Sequence, residues 1–171
     1  SIAATDITTV NTDTTGLVTV SASTITGAHA DITTAIGSAG TQTIGYPNLT
    51  ASDSMTTSQL NSMDDITEGV ITATISDGDL DTLASLTNDN SNNALTITIT
   101  DTAATAAELN TLDGKTSVNV VGAAVVTIES SAVADVKTLI TNQTTAGLDN
   151  DYVVTLSDSS IAATDITTVD N

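Results

Sequence analysis

Oxygen donors crowd into four short stretches of this chain: Asp77-Gly78-Asp79-Leu80-Asp81, Met63-Asp64-Asp65, Asn88-Asp89-Asn90-Ser91-Asn92-Asn93 and Asp149-Asn150-Asp151. Carboxylates and amide carbonyls packed into turns are the hard ligands that Ca2+ prefers. On that chemistry Asp77, Asp79, Asp81 and Asp89 are the candidate metal ligands, with Ca2+ as the candidate ion. No stretch completes an EF-hand loop or the glycine-rich nonapeptide of calcium-binding β-rolls. The competing reading is a set of solvated turns, because Asn and Asp tolerate left-handed backbone and bond their own amides.

The other reactive groups are few. His29 is the sole imidazole and cysteine is absent, which removes disulfides, thiolate metal sites and cysteine nucleophiles. A hydroxyl, imidazole and acid triad is defined by geometry, and a chain this rich in Ser, Thr and Asp does not single one out. His29 therefore reads as a surface residue. Lys115 and Lys137 are the only basic side chains besides it. Either would need burial beside an acid to form an isopeptide bond, so both read as exposed cations in an acidic field. A polysaccharide lyase would need Arg or Lys beside clustered acids in a groove, and two lysines do not provide it; the chain is not expected to be an enzyme. Asn48-Leu49-Thr50 and Asn142-Gln143-Thr144 fit the glycosylation acceptor pattern, as a composition rich in Asn and Thr makes inevitable.

Charge narrows the partners. Two Lys+Arg against 21 Asp+Glu give a formal net charge of −19, so the basic footprint that neutralises nucleic-acid phosphates is missing. An anionic membrane surface is excluded for the same reason. No apolar run is long enough to insert into a bilayer, and an export signal is expected to lie outside these residues. High negative charge keeps an edge-bearing β structure soluble and opposes lateral association.

What positions these residues is repetition. Ser-Ile-Ala-Ala-Thr-Asp-Ile-Thr-Thr-Val occupies residues 1–10 and again residues 160–169. Within that long period a weaker pattern, small-x-x-acid-aliphatic-x-x-aliphatic, is read seven times, its first aliphatic falling at Ile7, Ile32, Leu60, Leu80, Leu109, Val136 and Ile166. The steps between them run from 20 to 30 residues. Between the copies lie alternating β-branched runs, such as Leu17-Val18-Thr19-Val20, Val70-Ile71-Thr72-Ala73-Thr74-Ile75 and Tyr152-Val153-Val154-Thr155-Leu156, whose period of two reads as strand. The acid-aliphatic element is short and rich in Thr, poor material for an independent helix. A one- or two-turn helix is expected in several copies and extended backbone in the rest. Thr105-Ala106-Ala107-Glu108 has the form of a capping box.

A repeat of 20 to 30 residues cannot bury an apolar side alone, and stacking does it. Placing equivalent strands side by side gives parallel pairing at about 4.8 Å per coil, and crossovers of this kind are right-handed. The expected fold is all-β: a right-handed parallel β-solenoid of about six irregular coils, residues 1–159 forming one period and residues 160–171 starting the next. Aromatics at 1% leave Val, Ile, Leu, Ala and Thr to fill the interior, which suits a thin tube. A positive mean hydropathy argues against disorder.

Residues 105–116, 2–7 and 153–159 together resemble the repeats of giant secreted or cell-surface proteins of bacteria, notably marine cyanobacteria. That resemblance implies an extracellular or cell-surface, adhesin-like, filament-forming protein with no catalytic residues to transfer. The expectation is a structural segment of a long fibre, surface filament or surface layer serving adhesion or matrix formation. Its partners would be copies of itself or adjacent repeats, end to end, with surface polysaccharide as a further candidate. The alternatives are a ligand-binding module for polysaccharide or ice, favoured by outward Thr rows such as Thr96, Thr98 and Thr100, and a phage tail-fibre segment, since the phrase at residues 106–114 also recurs in such fibres.

Overall fold

A computed structural model describes residues 1–87, 92–142, 147–148 and 151–169. In chain order the elements are β1 (Ile2–Ala3), α1 (Ala4–Asp13), β2 (Val18–Val20), β3 (Thr24–Gly27), α2 (His29–Gly37), β4 (Thr41–Thr43), β5 (Asn48–Met55), α3 (Thr57–Asp64), β6 (Ile71–Ile75), α4 (Leu80–Leu83), β7 (Ala94–Thr96), β8 (Ala103–Ala104), α5 (Ala106–Asp113), β9 (Thr127–Ser131), α6 (Val133–Thr141), β10 (Val153–Leu156) and α7 (Ala163–Val169). They form two compact units, one of Ser1–Ser76 with Leu86–Leu95, the other of Asp77–Ser85 with Thr96–Asn171.

The all-β expectation, and with it the β-solenoid, is overturned. The protein is mixed α/β, with seven helices alternating with parallel sheets among the described residues. Every one of the seven acid-aliphatic copies is helical, not several of them. Thr lowers helix propensity by at most about 0.7 kcal/mol relative to Ala, whereas burying one Ile or Leu stabilises by about 1.5–3 kcal/mol. Aliphatics three apart share one helix face, and they are buried as pairs: Ile32 with Ala35, Leu60 with Met63, Leu109 with Leu112, Val136 with Leu139. Packing therefore wins over propensity. Thr hydroxyls also bond backward within the helices, Thr9 to the Thr5 carbonyl at 2.8 Å and Thr111 to that of Ala107 at 2.7 Å.

In the first unit β1, β3, β5 and β6 pair in parallel, and β7 completes the sheet in the order β1-β3-β5-β6-β7. The register aligns like with like: Ile2, Ile25, Leu49 and Ile71 form one row, and Ala3, Thr26, Thr50 and Thr72 the next. Ile25, Leu49 and Ile71 are fully buried, while the Thr row is half-buried or exposed. Strands β2 and β4 make a second, two-stranded parallel sheet in the same unit. The chain turns after Thr43, with Gly45 at φ 74, a left-handed conformation that favours glycine.

The second unit repeats the scheme with β8, β9 and β10, parallel in the order β10-β9-β8, and buries Ala104 and Ile128 in register with Val154. Thr98 and Val121 form an isolated parallel bridge. At Gly78 the Thr98 carbonyl passes so close that a side chain's first carbon would lie 2.8 Å from it, so this turn needs glycine.

Strands β2, β6 and β10 lie where alternation places them. Strands β3 and β5 do not show in that pattern: β5 begins at Asn48, straight after the turn, and carries the polar run Ser52-Asp53-Ser54.

Candidate functional site

The feature that recurs through both units is a hydrogen bond from the first amide of a helix to a side chain roughly one repeat further along the chain. His29 N donates to Asp53 Oδ1 at 2.8 Å, Leu80 N to Asp101 Oδ2 at 2.7 Å, Val133 N to Asp158 Oδ2 at 2.6 Å, and Ala106 N to Ser131 Oγ at 2.9 Å. Helices α2 and α6 begin after Ala28 and Ala132, which have no side-chain cap of their own. The orphan amides at a helix start need an acceptor, and a carboxylate there also meets the positive end of the helix dipole. The next repeat supplies it. A signal was present in the sequence: each of these acids sits between hydroxyls, as Ser52-Asp53-Ser54, Thr100-Asp101-Thr102 and Ser157-Asp158-Ser159, 21 to 25 residues beyond the amide it accepts from.

Helices α3 and α5 are capped locally. Thr56 with Gln59 and Thr105 with Glu108 form complete capping boxes, the latter as its sequence predicts.

The predicted calcium ligands are dispersed into such roles. Asp79 is the N-cap of α4, its Oδ1 accepting from Thr82 N at 3.0 Å and Thr82 Oγ1 at 3.1 Å. Asp81 stands exposed in the first turn of α4, and Asp77 is half-buried just before it. Asp89 lies outside the described residues. Asp79, Asp81, Asp101, Glu108 and Glu129 do line one shallow cleft of about 120 Å³ in the second unit. Three of them, however, already direct carboxylate oxygens at helix amides: Asp79, Asp101 and Glu108. Among the described residues no three or more His, Cys, Asp or Glu side chains are grouped to hold a metal ion.

Asp64, taken from sequence as part of another oxygen cluster, is a buried structural acid. Asn93 Nδ2 donates to Asp64 Oδ1 at 3.1 Å while Asn93 Oδ1 accepts the Ile71 amide at 2.8 Å, so one buried side chain ties a helix to a strand start. Thr67 extends the theme, its hydroxyl donating to the Pro47 carbonyl at 2.7 Å and accepting from Gly69 N at 2.9 Å.

Lys115 lies beside α4 and α5, in a mostly aliphatic groove of about 220 Å³ lined by Leu80, Leu83, Ala84 and Leu112 among others. Helix α4 is four residues long where α5 is eight. His29 opens α2, and Asp53 holds its backbone amide rather than its ring. Asn48 uses its side-chain oxygen to accept the Val70 amide at 2.9 Å. Of the second acceptor pattern, Gln143 and Thr144 lie outside the described residues.

No protein-family model, curated protein or solved structure matches this chain. The chain's own repeat supplies the comparison instead, because the same ten residues occur in two settings. In α1, Ala4 and Ile7 are buried at 0% and 2% exposure, with α2 packed alongside. In α7, which packs on α6, the matching Ala163 is exposed and Ile166 is 52% exposed. Lys137 of α6 holds α7 through an ion pair, Nζ to Asp165 Oδ1 at 2.7 Å, with the two side chains 43% and 28% exposed. Lys137, an exposed cation by sequence, is thus partly exposed and paired with an acid.

Proposed function

We propose that this chain is a structural segment of a long extracellular fibre, surface filament or surface layer, serving adhesion or matrix formation. The observation that carries the reading is that several repeats complete their neighbours: Asp53, Asp101 and Asp158 finish the helices α2, α4 and α6, begun 21 to 25 residues earlier. A repeat built so gains from a successor and has no natural stopping length. The recurrence of residues 1–10 at 160–169 extends the same logic to a longer period. The likeness to repeats of giant bacterial surface proteins supports the extracellular setting, and the net charge of −19 would keep such filaments from bundling.

Electron micrographs of the native material test the proposal. Long unbranched filaments built of this chain support it. Discrete trimeric rods or isolated particles would overturn it in favour of a tail fibre or a separate binding module.

A further inference from the structure

Between the single turn of α4 and the longer α5 lies the groove of about 220 Å³, with buried Leu83 and Leu112 and half-buried Leu80 in its walls. Hydrocarbon placed there would release the water held against these side chains, which is favourable in proportion to the apolar area covered. Lys115 lines the same groove, about two helical turns beyond Glu108 along α5. It is half-buried, and among the described residues its ammonium makes no hydrogen bond or ion pair. The chain has 21 acids, and its other lysine, Lys137, is paired with one of them. We infer that the groove is a binding site for a fatty-acid-like amphiphile, its hydrocarbon chain covering Leu80, Leu83 and Leu112 and its carboxylate paired with Lys115.

Charge complementarity decides the head group. Two acids also line the groove, Asp81 and Glu108. Glu108 is committed to its own helix start, Oε2 accepting from Thr105 N and from Thr105 Oγ1, each at 2.8 Å. Asp81 is exposed, so water screens it, whereas Lys115 is half-buried and attracts an opposite charge more strongly. A carboxylate is therefore drawn to Lys115, and an ammonium head finds the weaker partner. Lys115 also follows the end of α5, where a cation favours the helix dipole; that role alone makes no use of the hydrocarbon beside it. The site is independent of the fibre reading.

The test is a titration of the full-length chain with decanoate, kept below the concentration at which it forms micelles and followed through a 13C label at its carboxyl carbon. Saturable binding is expected, weakened about tenfold by Lys115→Gln, the scale of a charge-assisted hydrogen bond. Decanol lacks the charge and should bind alike to the wild type and to Lys115→Gln. Ala84→Phe, at an exposed position in the groove wall, should abolish binding of both, and circular dichroism confirms that each variant keeps its helices. Decanoate bound equally by the wild type and by folded Lys115→Gln, tighter binding of decyltrimethylammonium than of decanoate, or no saturation would each overturn the site. So would a wild-type dimer that Ala84→Phe dissociates, since the groove would then belong to a second copy.

Discussion

Asp53 Oδ1 accepts the amide hydrogen of His29 at 2.8 Å, across 24 residues of sequence, and so caps a helix to which Asp53 does not belong. Replacing a capping acid by Ala costs about 0.5–2 kcal/mol. Asp53→Ala should lower unfolding stability in urea by about 1 kcal/mol, and Asp53→Asn, which keeps an acceptor oxygen, by less. Equal losses for the two variants would mean that the charge alone matters.

Ile7 and Ile166 are the same residue in the same decapeptide, at 2% and 52% exposure. Ile7→Ala should cost about 2–5 kcal/mol, as a buried truncation does, and Ile166→Ala about 0.5 kcal/mol or less. Thermal unfolding of the two variants side by side checks this; similar losses would show that Ile166 is covered in solution.

The buried pair Asp64 and Asn93 should behave non-additively. Asn93→Leu leaves both the Asp64 carboxylate and the Ile71 amide short of a partner, a loss of about 1–3 kcal/mol for a buried polar group. Asp64→Leu with Asn93→Leu should cost less than the two single losses added, by 0.5 kcal/mol or more, roughly the scale of coupling between touching residues. Denaturant titrations of the full cycle give the coupling.

Asp79 separates the metal reading from the capping one. Because its carboxylate holds the Thr82 amide, Asp79→Ala should lose about 1 kcal/mol equally in calcium and in chelator. A loss confined to calcium-containing buffer would restore Asp79 as a ligand.

Burial raises the Tyr152 phenol above its ordinary value of 10.0, because the ionised form is poorly hydrated there. The folded state then holds its proton more tightly than the unfolded state. The resulting stability is complete below pH 10.0 and is lost as pH rises from there through the folded value. Tyr152→Phe should flatten that alkaline decline in a series of melting temperatures; an unchanged decline would place its cause elsewhere.

Much of this arrangement was written locally, and the part that was not is long-range. The seven acid-aliphatic copies mark the seven helices, and Thr105 with Glu108 marks a cap, because both signals lie within one helical turn. The helical state of those copies is not legible locally, because Thr-rich segments such as residues 3–10 owe their helicity to burial of Ala4 and Ile7, which propensity does not contain. Strand β5 was hidden since Asn48 and Asp53 look like turn residues until their acceptors are seen to serve Val70 and His29. The same holds for Asp79, a candidate calcium ligand by sequence: it does point at a positive partner, but that partner is a helix amide.

The caps also impose an order in time. At a synthesis rate of roughly 5–20 residues per second, the 24 residues between His29 and Asp53 take about 1–5 s to emerge from a ribosome. Through that interval the α2 segment lacks its acceptor, and the same delay recurs at α4 and α6. Completion of α2, α4 and α6 therefore runs from the amino end forward, each fastened by a residue made after the helix segment itself.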